Sequence, residues 1–461
     1  MPGSASDSIV ATLMRKLNTA TTNSLRSAGD TDDIVDGLLK SLPILGQQPL
    51  PKWDEEVIAP MGGNVADVAQ AALKNLNFHV SHPKRNIHRL ARIAKGIILI
   101  THLSNNKIIR DAFIAQHSIR ALVDAMGSLS PLPTNNQSRQ YATLCISNGC
   151  NCVRGHMFAN YGLTGITEAF DSGILPVLLR CADLLIGDDA QYFNLLCEDL
   201  PKYIIYPSVL RTAEKSLTGF VVESASQAQS ATSKRARKAF SRFQTSMDEI
   251  IAIKDIGVGH GKEVCANKMC YKSDLRSALW LCSGCNESYY CSSSCQRADW
   301  KGSHREYCKE VMAARNKGQV SPISPKDISF LHTLAQNELF LRERRVRSAC
   351  REHQITMPVV EFDYTKYPFE ITIGSAVSLP LPFSGGSPSS ESLRSDWQNT
   401  VKIAPGREAN VVIHVRYPTG AFAQIMESKL FMELDNDSDS DTSTPVLDDL
   451  LDRFYTVQVK V

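Results

Sequence analysis

Seven cysteines and one histidine fall between residues 265 and 308, in the order Cys265-x4-Cys270-x11-Cys282-x2-Cys285-x5-Cys291-x3-Cys295-x8-His304-x3-Cys308. Thiolate sulfur and imidazole nitrogen are the donors that zinc takes four at a time, so eight of them fill two tetrahedral sites. The Cys282–Cys285 turn brings two thiolates onto one ion at roughly 2.3 Å. Cys291 and Cys295 are four apart, as are His304 and Cys308. On a helix that spacing puts both side chains on one face. With all eight positions filled, neither site keeps an open position for substrate, so the ions are structural. The segment is too small and too poor in apolar residues to hold a fold alone. Structural zinc contributes roughly 10–16 kcal/mol in small finger peptides and offsets that deficit. Spacing alone leaves the pairing open. A sequential scheme gives one ion to Cys265, Cys270, Cys282 and Cys285.

The same stretch resembles the MYND-type zinc finger. The family signature appears as Cys282 and Cys285, Tyr290-Cys291, Cys295-Gln296, Asp299-Trp300, His304 and Cys308. The one departure is the first pair, Cys265-x4-Cys270, which is looser than the family's x2. The resemblance implies an interleaved brace. Cys265, Cys270, Cys291 and Cys295 then hold one zinc, and Cys282, Cys285, His304 and Cys308 the other. It also implies a partner-binding role for Ser283, Gln296 and Trp300, which match positions that contact proline-rich peptides in peptide-binding members. Trp300 is further expected to pack between the zinc knuckles as a miniature core.

The elements around this segment follow from periodicity. Residues 1–60 are rich in Ser, Thr and Asp, with Pro43, Pro49, Pro51 and Pro60, and read as a loosely ordered lead-in holding one short helix. From 61 to 255 the apolar spacing is helical. Val65, Val68, Ala69, Ala72, Leu73 and Leu76 form one stripe, with Asn64 as its N-cap. Ile119, Leu122, Val123 and Met126 form a second, and Ile174, Val177, Leu178, Cys181 and Leu185 a third. Phe240, Phe243, Met247, Ile250 and Ile251 form a fourth. The second and third stripes lie in look-alike stretches 55 residues apart, each resembling the last helix of an armadillo repeat. The region is expected to be a degenerate, armadillo-like helical array.

The finger domain is expected over 262–312. A helix capped by Asp327 should then run to about Arg351. Period two follows in Val360, Phe362 and Tyr364, in Phe369, Ile371 and Ile373, in Val411, Ile413, Val415 and Tyr417, in Leu430, Met432 and Leu434, and in Tyr455, Val457, Val459 and Val461. Such alternation makes a sheet with one solvated face. The expected C-terminal domain, 325–461, is a helix plus this small sheet, with mobile loops at about 379–396 and 435–450. The fold class is therefore multidomain α+β.

Formal net charge is +2, which favours neither nucleic acid nor membrane in bulk. The longest strongly apolar run, Gly96 to Ile100, is too short to span a bilayer. The first residues lack the apolar core of a signal peptide. A soluble protein of the cytoplasm or nucleus is expected, where clustered cysteines are metal ligands rather than disulfides. Cys145, Cys150, Cys152 and His156 read as core packing, as do Cys181, Cys197 and Cys350. His79, His82 and His88 read as a solvated loop. Lys234 to Arg242 reads as a solvated basic helix face, with a nuclear signal as the alternative. The stretch Asp435 to Asp441 reads as an acidic loop.

Some MYND proteins are lysine methyltransferases with the finger inserted in a SET domain, but neither that domain's cofactor strand nor its tyrosine motif is present. No nucleophile elbow or Walker loop is present either, so no enzyme activity is expected. Nor do the eight ligands have the spacing of a DNA-reading finger built on two cysteines and two histidines, so direct nucleic-acid binding is not expected. Long MYND proteins of this layout resemble a group of fungal proteins. The reading is a zinc-binding interaction scaffold for proline-rich partners, with transcriptional regulation as a process. A methyltransferase-related enzyme or a nucleic-acid-associated regulator is the alternative.

Overall fold

Asn64 starts a helix where the apolar stripe starts, because its side chain accepts a hydrogen bond from the Ala66 N–H. Asn86, Asn106 and Asn135 do the same for the helices that follow them. The computed structural model describes residues 8–22, 29–45, 50–82, 86–129, 135–159, 163–185, 187–217, 231–256, 262–267, 270, 272–285, 288–316, 323–355, 358–367, 369–375, 408–419, 422–433 and 455–460. The chain divides into two units, one of residues 1–200 and 211–243, the other of 201–210 and 244–461.

Among the described residues the first unit is all-helical: α1 (Ile9–Thr22), α2 (Gly29–Leu45), α3 (Leu50–Trp53), α4 (Val65–Ser81), α5 (Ile87–Leu103), α6 (Lys107–Ala115), α7 (Ser118–Gly127), α8 (Asn136–Met157), α9 (Thr164–Asp171), α10 (Ile174–Cys181) and α11 (Gln191–Asp199). Parts of α12 (Pro207–Leu217) and α13 (Ala231–Ile256) complete it. The long helices α5 and α8 pack on each other, with α4 and α2 against α5 and α7 and α11 against α8. The predicted stripes face inward: Val68, Leu76, Ile119, Leu122, Ile174 and Leu178 are all buried.

The helical unit departs from the sequence reading at its start. Residues 9–22 and 29–45, expected in a loose lead-in, are two packed helices. Met14 and Leu17 of α1 and Leu38 and Leu42 of α2 are buried, and Asp32 and Asp36 of α2 pair with Arg92 and Lys95 of α5. Polar composition hid an apolar face that recurs at helical spacing. The buried stripes of the look-alike stretches match at the expected 55 residues, Ile119 with Ile174 and Leu122 with Val177, whereas their turn residues are 56 apart. His117 and Gly173, both left-handed (φ 57° and 78°), each turn the chain between a short helix and the next one: α6 into α7, and α9 into α10.

His79 also departs from the solvated-loop reading. It sits in α4, is buried, and its carbonyl accepts from Arg89 Nε at 2.9 Å.

The second unit carries four short strands, β1 (Lys262–Val264), β2 (Ser273–Leu275), β3 (Trp280–Leu281) and β4 (Tyr289–Tyr290), then α14 (Ser293–Asp299) and α15 (Arg305–Asn316). The helix expected to run to Arg351 is two: α16 (Pro325–Leu341) and α17 (Glu343–Glu352). Ser324, not Asp327, caps α16, its side chain accepting from the Asp327 N–H. Asp327 is buried instead and accepts from the backbone N–H and the hydroxyl of Ser208.

Strands β5 (Pro358–Asp363), β6 (Phe369–Ser375), β7 (Glu408–Thr419), β8 (Phe422–Glu433) and β9 (Tyr455–Lys460) form one mixed sheet in the order β8-β7-β5-β6-β9. Adjacent β5 and β6 are antiparallel, as are β7 and β8, whereas β5 with β7 and β6 with β9 are parallel. Val360, Phe362, Ile371, Ile373, Ile413 and Val415 make its apolar face. The other face carries the Glu361–Arg416 pair but is not wholly solvated, since Thr372 and His414, both opposite Glu361, are buried. The two loops predicted to be mobile and the acidic run 435–441 lie outside the described residues. No helix among the described residues is long and apolar enough to cross a membrane.

Candidate metal centre

Each ligand is placed by a short-range backbone device. Cys265 follows β1, and its N–H donates to the Lys272 carbonyl at 2.9 Å, closing the β1–β2 hairpin. Cys270 ends a tight turn in which its N–H reaches the Asn267 carbonyl at 2.7 Å. The Cys282 N–H donates to the Ser288 carbonyl at 2.9 Å, so the Cys282–Cys285 turn is held at the β3–β4 end. Cys291 leaves β4, and Ser292 caps α14 by accepting from the Cys295 N–H. That cap turns Cys291 and Cys295 to the same side. A kink at Gly302 separates α14 from the segment bearing His304, and α15 then carries Cys308.

These devices gather the eight side chains into two interleaved quartets: Cys265, Cys270, Cys291 and Cys295, and Cys282, Cys285, His304 and Cys308. Within each quartet the ligand atoms all lie within 4.8 Å of one another. Sulfur and nitrogen donors on one tetrahedral zinc stand roughly 3.6–3.8 Å apart. Here Cys270 to Cys291 and Cys291 to Cys295 are each 3.5 Å, and Cys282 to Cys308 is 3.9 Å. His304 Nε2 stands 3.3 Å from Cys282 Sγ and 3.8 Å from Cys285 Sγ. The residues fit two zinc ions, one held by cysteines alone and one by three cysteines and a histidine. The sequential pairing, open from spacing alone, is not the one adopted.

The ring of His304 is oriented from behind. Its Nε2 faces the thiols, while Nδ1 lies 3.4 Å from Ser288 Oγ. A hydrogen on Nδ1 donating to Ser288 leaves the Nε2 lone pair for the metal. Gly284 is demanded by proximity: a Cβ there would stand 2.5 Å from Cys308 Sγ. Ser288 and Gly284 escape a reading of the sequence, since neither residue type marks a metal site by itself.

Thiols must lose their protons to ligate, so their acidity bears on loading. Hydrogen bonds from Asn267 and Ser292 hold Cys295 down to about 6. Burial raises Cys282, but His304 and the N–H groups of Cys285 and Gly284 outweigh it and bring the thiol to about 7. Burial pushes Cys265 up to about 12, so the incoming cation must displace that proton.

The finger's core is built mainly of ligands and one aromatic ring, with Ala266 and Val311 half-buried against them. Cys265, Cys282, Cys285, Cys308 and Tyr290 are its buried members. Tyr290 is fully buried, donates to Asp299 Oδ2 at 2.8 Å and meets His304 edge-on at 5.7 Å. Tyr290 thus has the part expected of Trp300. Trp300 lies tilted at 5.8 Å from His304 and keeps 39% of its surface exposed. Gln296 lies one helical turn before it and is half-buried, and Ser283 is exposed in the Cys282–Cys285 turn.

The other cysteine–histidine group is packing. His156 is buried between two hydroxyls, with Ser104 Oγ 2.8 Å from Nε2 and Ser118 Oγ 2.8 Å from Nδ1, and its ring stacks on Phe113. Burial lowers its pKa to about 3 and raises Cys152 to about 12. Both are neutral, and neither belongs to a metal-ligating group among the described residues.

Comparison with known proteins agrees with the geometry. Residues 265–308 match the family model of the MYND finger. The mouse (Mus musculus) Tudor domain-containing protein 1 is 41% identical over 61 residues, 13% of this chain. That stretch spans only 5% of the mouse protein's length. No solved structure matches the chain.

Proposed function

We propose that the chain is a zinc-braced interaction scaffold, not an enzyme, whose finger captures proline-rich peptide partners inside the cell. The observation that carries this reading is the exposure of Trp300. Tyr290 already fills the finger's core, so the indole is left over for a partner. Gln296, one helical turn before it, and Ser283, exposed in the Cys282–Cys285 turn, supply the polar groups of this reading. A proline-rich segment is already extended and loses little entropy on docking against an aromatic face. The helical unit adds a second surface for assembly, and the repeated turn at His117 and Gly173 supports an armadillo-like reading of it. A reducing compartment, cytoplasm or nucleus, suits a cysteine-rich ligand set and buried free thiols. Transcriptional regulation is the process this reading favours.

Calorimetric titration of the zinc-loaded chain with a Pro-Leu-containing peptide tests the finger's role. Binding at micromolar or poorer affinity is expected, weakened by Gln296→Ala and by Ser283→Ala. Unchanged affinity in both variants, with both ions retained, removes the peptide site.

A further inference from the structure

The two quartets are not equivalent. Cys282, Cys285, His304 and Cys308 are all buried, none above 4% exposed. In the other quartet only Cys265 is buried, and Cys270, Cys291 and Cys295 are half-exposed. The open quartet is also all sulfur. Its middle member, Cys291, has two sulfur neighbours at 3.5 Å, Cys270 and Cys295. In the closed quartet the sulfurs of Cys282 and Cys308 stand 3.9 Å apart and are sealed from solvent. Oxidation of cysteine follows thiolate character and access together, and a sensor sulfur needs a second thiol within reach to resolve it. Among the described residues, the all-cysteine quartet is the one that offers both half-exposed sulfurs and a second thiol within reach of each step.

We propose that the all-cysteine quartet is a peroxide-sensitive latch that opens while the histidine-bearing quartet keeps its ion. The Cys291 thiolate attacks one oxygen of a peroxide. The S–O bond forms, the O–O bond breaks, and the departing oxygen takes a proton and leaves as water. The thiolate of Cys270 or Cys295 then attacks the Cys291 sulfur. The S–S bond forms, the S–O bond breaks, and hydroxide leaves and takes a proton as water. Two sulfurs lose two electrons, and the peroxide is reduced to two waters. Two ligands remain where four are needed, so the quartet lets its cation go. A thiol reductant reverses the step.

The quartet anchors the start of α14, through Cys291, the Ser292 cap and Cys295. Gln296 and Trp300 follow directly along the chain. If the peptide reading given above holds, the latch places peptide capture under oxidant control. The latch itself does not depend on what the finger binds.

The test is metal and thiol chemistry on the full-length, zinc-loaded chain. Hydrogen peroxide is added with a chromogenic zinc chelator, and remaining thiols are alkylated and mapped by mass spectrometry. Release in two phases is expected, the first about tenfold faster and equal to one ion per chain, following access to the sulfurs. The first phase should coincide with a disulfide at Cys291, to Cys270 or Cys295, with Cys282, Cys285 and Cys308 still reduced. Dithiothreitol and added zinc should restore the first ion. Release of both ions in one phase overturns the inference, as does a first disulfide between Cys282 and Cys308, or a first phase that leaves Cys291 reduced.

Discussion

At the scale of single residues, what a side chain lacks can matter as much as what it carries. Gly284 stands between two zinc ligands, and any Cβ there would press on Cys308 Sγ. That sulfur is not the free end of a flexible chain, because α15 behind it and the metal in front hold it in place. Gly284→Ala is therefore expected to lose the ion of the histidine-bearing quartet and keep that of the all-cysteine quartet, read by zinc content per chain. Gly155→Ala, where a Cβ meets nothing, is the matched control and should keep both. Equal zinc in the two variants refutes this account of Gly284. His156 gives a second test through acid stability. Its folded pKa lies near 3, below the ordinary 6.5, because burial disfavours the cation. Between those values the unfolded chain binds a proton that the folded chain refuses. Stability from this group is thus complete above pH 6.5 and is lost as pH falls towards 3, by up to about 1.4 kcal/mol per pH unit. His156→Gln removes the titrating group while keeping polar atoms for Ser104 and Ser118. The variant should be less stable at neutral pH and should have a flatter acid limb in denaturant titrations between about pH 6.5 and 4. Parallel limbs would show that His156 is not the group responsible. The ligands themselves are legible in the sequence, because cysteine spacing is a direct record of metal geometry. Ser288, which orients His304 from behind, is not legible, because a serine in a loop carries no signal until the fold brings it to a ring nitrogen.

At the scale of elements, the finger and the helices are held by different forces. Four of the five buried members of the finger's core cluster are metal ligands, and Tyr290 is the fifth, with Ala266 and Val311 half-buried against them. Without zinc those sulfurs lose the ion that ties them together, and the strands β1 to β4 are two or three residues long. Such strands do not persist alone. The helices from α4 to α11 bury their own stripes and use no metal. Chelation is therefore expected to erase structure in 265–308 and leave most of the far-UV helical signal. Collapse of the whole helical signal would show that metal and helices form one cooperative system. The same contrast explains what can be read in advance. Helices α4, α7 and α10 announce themselves by apolar spacing, and Asn64 marks its own cap. Helices α1 and α2 do not, because their buried Met14, Leu17, Leu38 and Leu42 are diluted by Ser, Thr and Asp on the outer face. Asp327 suggests a cap because caps are commonly acidic. Ser324, three residues earlier, is the cap, and it leaves Asp327 to receive Ser208.

At the scale of the whole molecule, membership of the two units does not follow chain order. Alternation in the sequence predicts the apolar face of the five-stranded sheet, but not the strand order. The parallel pairs β5 with β7 and β6 with β9 are joined by long connections, and no local pattern specifies them. A further long-range element is invisible in the sequence. Residues 201–210 belong to the second unit although both flanks belong to the first. Tyr206 is fully buried, and its hydroxyl donates to the Pro418 carbonyl at 2.5 Å, at the end of β7. Ile204 and Ile205 are fully buried beside it in sequence, and Ser208 holds Asp327 of α16 by two hydrogen bonds. Division by composition places a boundary near residue 256 and treats everything before it as self-sufficient. The contacts of residues 201–210 argue otherwise. A chain ending at Ile256 strips Tyr206 and Ser208 of these partners and opens an apolar cluster to water, and exposed patches of that kind drive association. Such a chain is expected to bind an apolar-surface dye and self-associate in sedimentation, whereas the full chain does neither. Tyr206→Ser with Ile205→Ser in the shortened chain should reduce both effects, because no partner remains for the apolar groups to satisfy. A shortened chain that is monomeric and dye-silent would show that residues 201–210 repack within the helical unit, and the two-unit assignment would then fail at that segment.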